Sequence, residues 1–126
     1  MIGKLIRFFK YYIGADTIHN VHSPFVFDFI NDVLDTSKEY YVYNSLEHER
    51  KILLSNTHKV SIKDFGAGSK TNESKERVIG ELAGKVVSNK TKCRILFSLV
   101  NKFKPKQIIE LGTSLGLSTL YMSKAY

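Results

Sequence analysis

Cysteine occurs once and proline twice in these 126 residues, and internal repeats and low-complexity tracts are lacking. A lone thiol, Cys93, excludes an internal disulfide framework and suits a reducing compartment, so a cytoplasmic location is expected. It falls in an apolar helical pattern and reads as a small core residue, not a reactive nucleophile. Long hydrophobic runs are also missing. No stretch approaches the roughly 20 apolar residues of a membrane span, so no transmembrane segment is expected. The opening MIGKLIRFFKYYIG does not read as a signal peptide, because Lys4, Arg7 and Lys10 interrupt it and no small-residue cleavage site follows. With 43% apolar and 25% charged residues, the composition is that of one folded domain.

Acidic residues are the minority sign, 12 against 19 Lys plus Arg, for a net charge of +7. Such an excess invites attraction to nucleic acid or an anionic membrane. The cations are nevertheless spread along the chain. Their densest group, Lys85, Lys90, Lys92, Arg94, Lys102, Lys104 and Lys106, is diluted over two helices. No zinc-finger spacing, basic zipper or aromatic RNA-binding strand accompanies them. Solvated basic faces are the favoured reading, and nucleic acid is the less favoured partner.

Apolar periodicity predicts helices along most of the chain. Residues 2 to 13 place Ile2, Leu5, Ile6, Phe9, Tyr12 and Ile13 on one face, with Lys4, Arg7 and Lys10 elsewhere. This basic amphipathic helix is expected to pack on its own domain, with a membrane surface as the alternative. Ser23 and Pro24 suit the N-cap and first position of a second helix whose apolar face carries Phe25, Val26, Phe29, Ile30, Val33 and Leu34. His19 and His22, just ahead of it, lack ligand-spaced partners and read as turn or packing residues. A third helix is expected over 44–56, with Tyr40, Tyr41 and Tyr43 packing at the preceding bend. Val60, Ile62 and Asp64 suggest a short strand. Two further helices follow, one carrying Val78, Ile79, Leu82, Ala83, Val86 and Val87, the other Cys93, Leu96, Phe97, Val100 and Phe103. Gly80 and Gly84 each weaken the first by about 1 kcal/mol relative to Ala unless they permit close helix contact. Pro105 stops the helical pattern. KQIIEL then reads as a buried strand, and helix resumes near Leu117.

Two glycine loops carry candidate chemistry. In ELGTSLGLS, the strand would deliver Glu110 to the edge of a sheet where ligands bind. Gly112 and Gly116 permit positive φ and close backbone approach. Thr113, Ser114 and Ser118 set hydroxyls around a helix opening that favours an anionic group. The spacing is G-x-x-x-G, so neither the dinucleotide fingerprint nor a P-loop is met. A purely structural strand–helix turn stays open as the alternative. In IKDFGAGSK, Asp64, Gly66, Gly68 and Ser69 form a second glycine-rich loop, either connecting or pocket-lining. No helix is expected to begin at Gly68, because polar residues follow it.

IIELGTSLGLSTLYMSKA resembles the first motif of class I S-adenosylmethionine-dependent methyltransferases, especially the O-methyltransferase branch. VHSPFVFDFI, DFGAGS and RILFSLVNKFKPK, in that order, resemble the N-terminal half of a Bacteroidetes group of these enzymes. The resemblance implies an α/β fold: a mainly helical region over 1–105, then the first strand–helix unit of a Rossmann-like sheet over 106–126. It implies S-adenosyl-L-methionine as cofactor, with Glu110 and Gly112 bordering its methionine part, Ser114 beside it and Ser118 on its carboxylate. Thr113 and Gly116 complete the expected cofactor-binding set, and no metal site is expected. The implied activity is methyl transfer, to an oxygen acceptor on a small-molecule substrate in the complete enzyme. This chain would be a truncated, inactive form that binds cofactor weakly or not at all. A lone strand with unpaired edges also raises the expectation of self-association. The alternative from another class is a small basic helical interaction module that binds nucleic acid or a protein partner.

Overall fold

A computed structural model of the protein describes residues 2–15, 20–61 and 76–125; His19 lies outside them. Six helices and one small sheet appear among the described residues. Helix α1 spans Ile2–Gly14. Helix α2, Pro24–Phe29, opens on Ser23, whose hydroxyl accepts from the Val26 N–H at 3.4 Å, as the Ser-Pro pair predicts. It does not continue as a regular α-helix. Residues Ile30–Leu34 widen into a π-helical turn, in which the Asp35 N–H reaches the Ile30 carbonyl at 3.0 Å. The widened turn ends with Val33 fully buried, while Phe25 and Leu34 of the expected apolar face remain exposed. Helix α3 spans Tyr43–Ser55 and α4 Ile79–Val86. Helix α5 spans Lys90–Phe103 and α6 Leu117–Ser123.

The core lies where α3, α5 and α6 meet. Tyr43 and Leu46 from α3, Cys93, Phe97 and Val100 from α5, and Leu117, Tyr121 and Met122 from α6 are all buried. Tyr43 packs edge-on to Phe97 at 5.0 Å, and Tyr40 stands 4.9 Å from the same ring. Burying each large side chain of this set stabilises the fold by about 2 kcal/mol. The tyrosine-rich bend therefore packs largely as its sequence suggests, except that Tyr41 is almost wholly exposed. Helices α3 and α5, before residue 105, and α6, after it, share this one core.

Four findings correct the sequence reading. The expected strand over KQIIEL is not formed: residues 107–110 have no regular structure, and Ile109 and Leu111 are 88% and 93% exposed. A strand exists only through hydrogen bonds to a neighbour, and among the described residues no extended segment pairs with this one. The described sheet instead pairs two other segments antiparallel, β1 (Lys59–Ser61) with β2 (Glu76–Val78), Val60 facing Arg77. β1 is the strand expected around Val60. β2 is not foreseeable from the pattern, because Val78 fits the helical period of α4 as well as it fits a strand end. Thirdly, α1 does not pack on the described part of the domain: every residue from Gly3 to Ala15 is exposed. Lastly, Arg94 is not part of a solvated basic face. It is buried, with Nη1 and Nη2 donating to the two Glu39 oxygens at 2.7 and 3.0 Å and its guanidinium 4.4 Å from the centre of the Tyr43 ring.

Helix α4 lies against the end of α3 through a glycine. The Gly80 N–H donates to the Asn56 carbonyl at 2.9 Å. A Cβ at position 80 would stand 2.5 Å from the Leu54 carbonyl oxygen, whereas one at Gly84 would meet nothing within 4 Å. The two glycines that look equivalent in sequence thus differ: only Gly80 permits a close contact.

Candidate functional site

The Glu110–Ser118 loop is built between two helix ends that the core holds in place. Lys104 ends α5 in the left-handed region (φ 46°), its N–H bonded to the Val100 carbonyl at 2.8 Å. At the other end, Leu117 is buried and anchors the start of α6. Between them the backbone takes positive φ at Gly112 (82°), Ser114 (52°) and Gly116 (75°). The Gly116 N–H closes the turn on the Thr113 carbonyl at 2.9 Å. Both glycines are needed for this path, since a side chain there is strained. Close approach to other protein atoms is not their reason, because a Cβ at either would meet nothing within 4 Å. The space beside them is open. Ser114 holds its left-handed conformation at a cost of roughly 1 kcal/mol, the kind of local strain that concentrates at functional turns.

Glu110 closes the loop from the side. Its Oε1 accepts from the Ser118 hydroxyl at 2.5 Å, and its Oε2 accepts from the Thr119 hydroxyl. These two bonds hold the carboxyl below its ordinary pKa, so it is ionised at neutral pH. Thr119 is not marked by the glycine motif, although its place directly after Ser118 on the first turn of α6 is the signal for it. Gly112, Thr113, Ser114 and Ser118 line a cleft of about 30 Å³ together with Leu117, Val87 and Ser88. Glu110 and Gly116 shape the loop without walling this cleft. The volume matches about one water molecule, against roughly 300–1,000 Å³ for a pocket that encloses a small ligand. The cleft therefore has room for one small polar group and does not enclose a ligand.

The opposite wall rests on residues that sequence spacing does not connect to the loop. The Arg50 guanidinium donates from Nη1 to the Ser88 carbonyl at 2.8 Å and lies 3.6 Å from Glu47. Tyr121 donates its hydroxyl to the same Glu47, and burial together with that bond pushes its pKa up. Cys93 is buried with its sulfur 3.5 Å from the Ser88 carbonyl, and desolvation raises the thiol pKa. It is a packing residue here. Asn89 caps α5 by accepting from the Lys92 N–H at 2.9 Å, which fixes where Val87 and Ser88 meet the loop.

A wider, open groove of about 500 Å³ runs along Val100, Lys104 to Ile108, Met122 and Ser123. None of the six expected cofactor residues lines it. Asp64, Gly66, Gly68 and Ser69 of the second glycine loop lie outside the described residues. Among the described residues, no group of three or more His, Cys, Asp or Glu side chains is placed to hold a metal ion, and no helix is long and apolar enough to cross a membrane. Of the cations that suggested nucleic acid, Arg94 is committed to Glu39. Lys102 is committed to Asp32, with Lys38 on the same carboxylate. Comparison with known protein families, with curated proteins and with solved structures finds no match.

Proposed function

We propose that the 110–118 loop holds the amino-acid end of S-adenosyl-L-methionine, and that the chain serves methyl transfer to an oxygen acceptor on a small molecule in the complete enzyme. One observation carries this reading: an ionised Glu110 is fixed beside a loop whose backbone turns left-handed at three alternate residues and leaves open space there. The ligand carries an ammonium and a sulfonium, and a carboxylate already oriented by two hydroxyls is their electrostatic complement. Each carboxylate oxygen keeps acceptor capacity beyond the Ser118 and Thr119 bonds. Ser114, which lines the same cleft, offers a hydroxyl donor for the ligand's own carboxylate. When bound, the cofactor supplies an electrophilic methyl group. Residues 110–118 contribute orientation, the main protein contribution in such a transfer. Residues 106–111 form the leading strand of a Rossmann-like α/β sheet in this reading, once a neighbouring strand pairs with them. In such a sheet Ile109 and Leu111, exposed here, share one face that a packed helix covers.

Contact limited to one end of the ligand implies weak binding, with Kd about 1 mM or above. Titration followed by amide chemical shifts tests it. S-adenosylmethionine and free methionine are expected to shift resonances of residues 110–118, with adenosine leaving them in place. Gly112→Asp strains the positive-φ turn and sets a carboxylate against the ligand's own carboxylate, so the response is lost; position 112 is exposed and outside the α3–α5–α6 core, which keeps its packing. Unmoved loop resonances at high millimolar ligand, or an unchanged response in Gly112→Asp, would overturn the assignment.

A further inference from the structure

We infer that α1 is an interfacial helix that docks the protein on an anionic lipid bilayer, lying in the plane of the surface with its apolar face among the headgroups. Every residue from Gly3 to Ala15 is exposed, including Leu5, Ile6, Phe8, Phe9, Tyr12 and Ile13. At 100° per residue these six fall on one continuous arc of about 160°. Lys4, Arg7 and Lys10 fall on the opposite arc with Gly3, Tyr11 and Gly14. Lys4 and Lys10 stand at its two borders, and Arg7 lies between them. Phe8 stacks on Tyr12 at 6.2 Å along the border next to Lys4.

The charge pattern selects the occupant. The helix carries three cations and no acidic residue within a chain of net charge +7. Border lysines extend past the apolar arc to reach lipid phosphates, and aromatic rings favour the same depth. A second copy of this helix is disfavoured, because burying the two apolar arcs together sets border lysines against border lysines. An arc this wide also exceeds the roughly 100° stripe that a helix buries against a single neighbour, whereas a bilayer surface takes up half a helix. Thirteen residues make a rod of about 20 Å, too short to span and suited to lying flat.

Sedimentation of the full chain with phosphatidylcholine vesicles, with and without phosphatidylserine, tests the assignment. Each cation near an anionic surface strengthens binding about fivefold, so the three together are worth roughly 100-fold. The wild-type chain is expected to bind the anionic vesicles roughly 100-fold more tightly than the neutral ones. Lys4→Gln/Arg7→Gln/Lys10→Gln lowers binding to the neutral-vesicle level, and Leu5→Ser/Phe9→Ser abolishes it on both. These positions are exposed, so neither variant disturbs the core, and circular dichroism of the remaining helices verifies this. Absence of vesicle binding would overturn the proposal. So would binding that ignores Leu5→Ser/Phe9→Ser, pelleting without lipid as a second copy covers the face, or capture by an acidic protein in place of vesicles.

Discussion

Gly80→Ala and Gly84→Ala make the same chemical change in the same helix, yet the structure gives them opposite signs. At position 84 the added methyl meets nothing within 4 Å on an exposed face. The substitution therefore returns the ordinary helix preference of Ala over Gly, about 1 kcal/mol of added stability. At position 80 the methyl would sit 2.5 Å from the Leu54 carbonyl oxygen and 3.0 Å from that of Asn56. Both obstacles are backbone, so no rotamer change relieves them, and α4 must move off the end of α3. Overpacking of this kind costs about 1–3 kcal/mol. Loss of the Gly80–Asn56 hydrogen bond adds about 1 kcal/mol, and improved helix propensity returns about 1 kcal/mol. The expected net is a destabilisation of about 2 kcal/mol. Urea unfolding of wild type and both variants, monitored by far-ultraviolet circular dichroism, reads the difference directly. Gly84→Ala moves the midpoint up and Gly80→Ala moves it down, with unchanged slope. A shift of both variants in the same direction by similar amounts would refute the close contact of α4 with α3 through Gly80.

Asp32 accepts from Lys102 and Lys38, and those bonds lower its pKa from 3.8 to about 2. A carboxyl with a depressed native pKa stabilises the fold above its unfolded value and loses that contribution as pH falls through the native value. Stability should therefore drop between about pH 4 and pH 2, and Asp32→Asn should show a shallower loss there in acid unfolding followed by circular dichroism. Tyr121→Phe removes a buried hydroxyl that donates to Glu47 and should cost about 1–2 kcal/mol in urea unfolding; a cost near zero would show that this bond adds nothing. Arg94→Lys keeps the charge but loses the two-pronged bond to Glu39 and the stacking on Tyr43, with an expected cost of about 2 kcal/mol in the same assay. Ser114→Val should destabilise by about 1 kcal/mol because a β-branched residue tolerates positive φ poorly, while Ser114→Gly should be neutral or stabilising; thermal midpoints of the pair check the turn geometry.

The helices were legible because their signals are local. Ser23 and Pro24 mark the start of α2, and the spacing of Cys93, Phe97 and Val100 writes the buried face of α5. Cys93 as a core residue and Gly112 and Gly116 as turn-formers follow from side-chain size and allowed φ alone, and both hold in the fold. Whether KQIIEL becomes a strand is not local. Apolar density makes it eligible, but pairing needs a neighbour at hydrogen-bonding distance, so Ile109 and Leu111 stand in the open. The same limit hid the Tyr121–Glu47 and Arg94–Glu39 contacts, whose partners lie 74 and 55 residues apart in sequence. It also hid the difference between Gly80 and Gly84, which is set by how closely a carbonyl from another helix approaches. For α1, the sequence by itself determined an amphipathic helix with a basic face. Only the tertiary structure decided that its apolar face finds no cover within the described residues, because burial depends on where the rest of the chain lies.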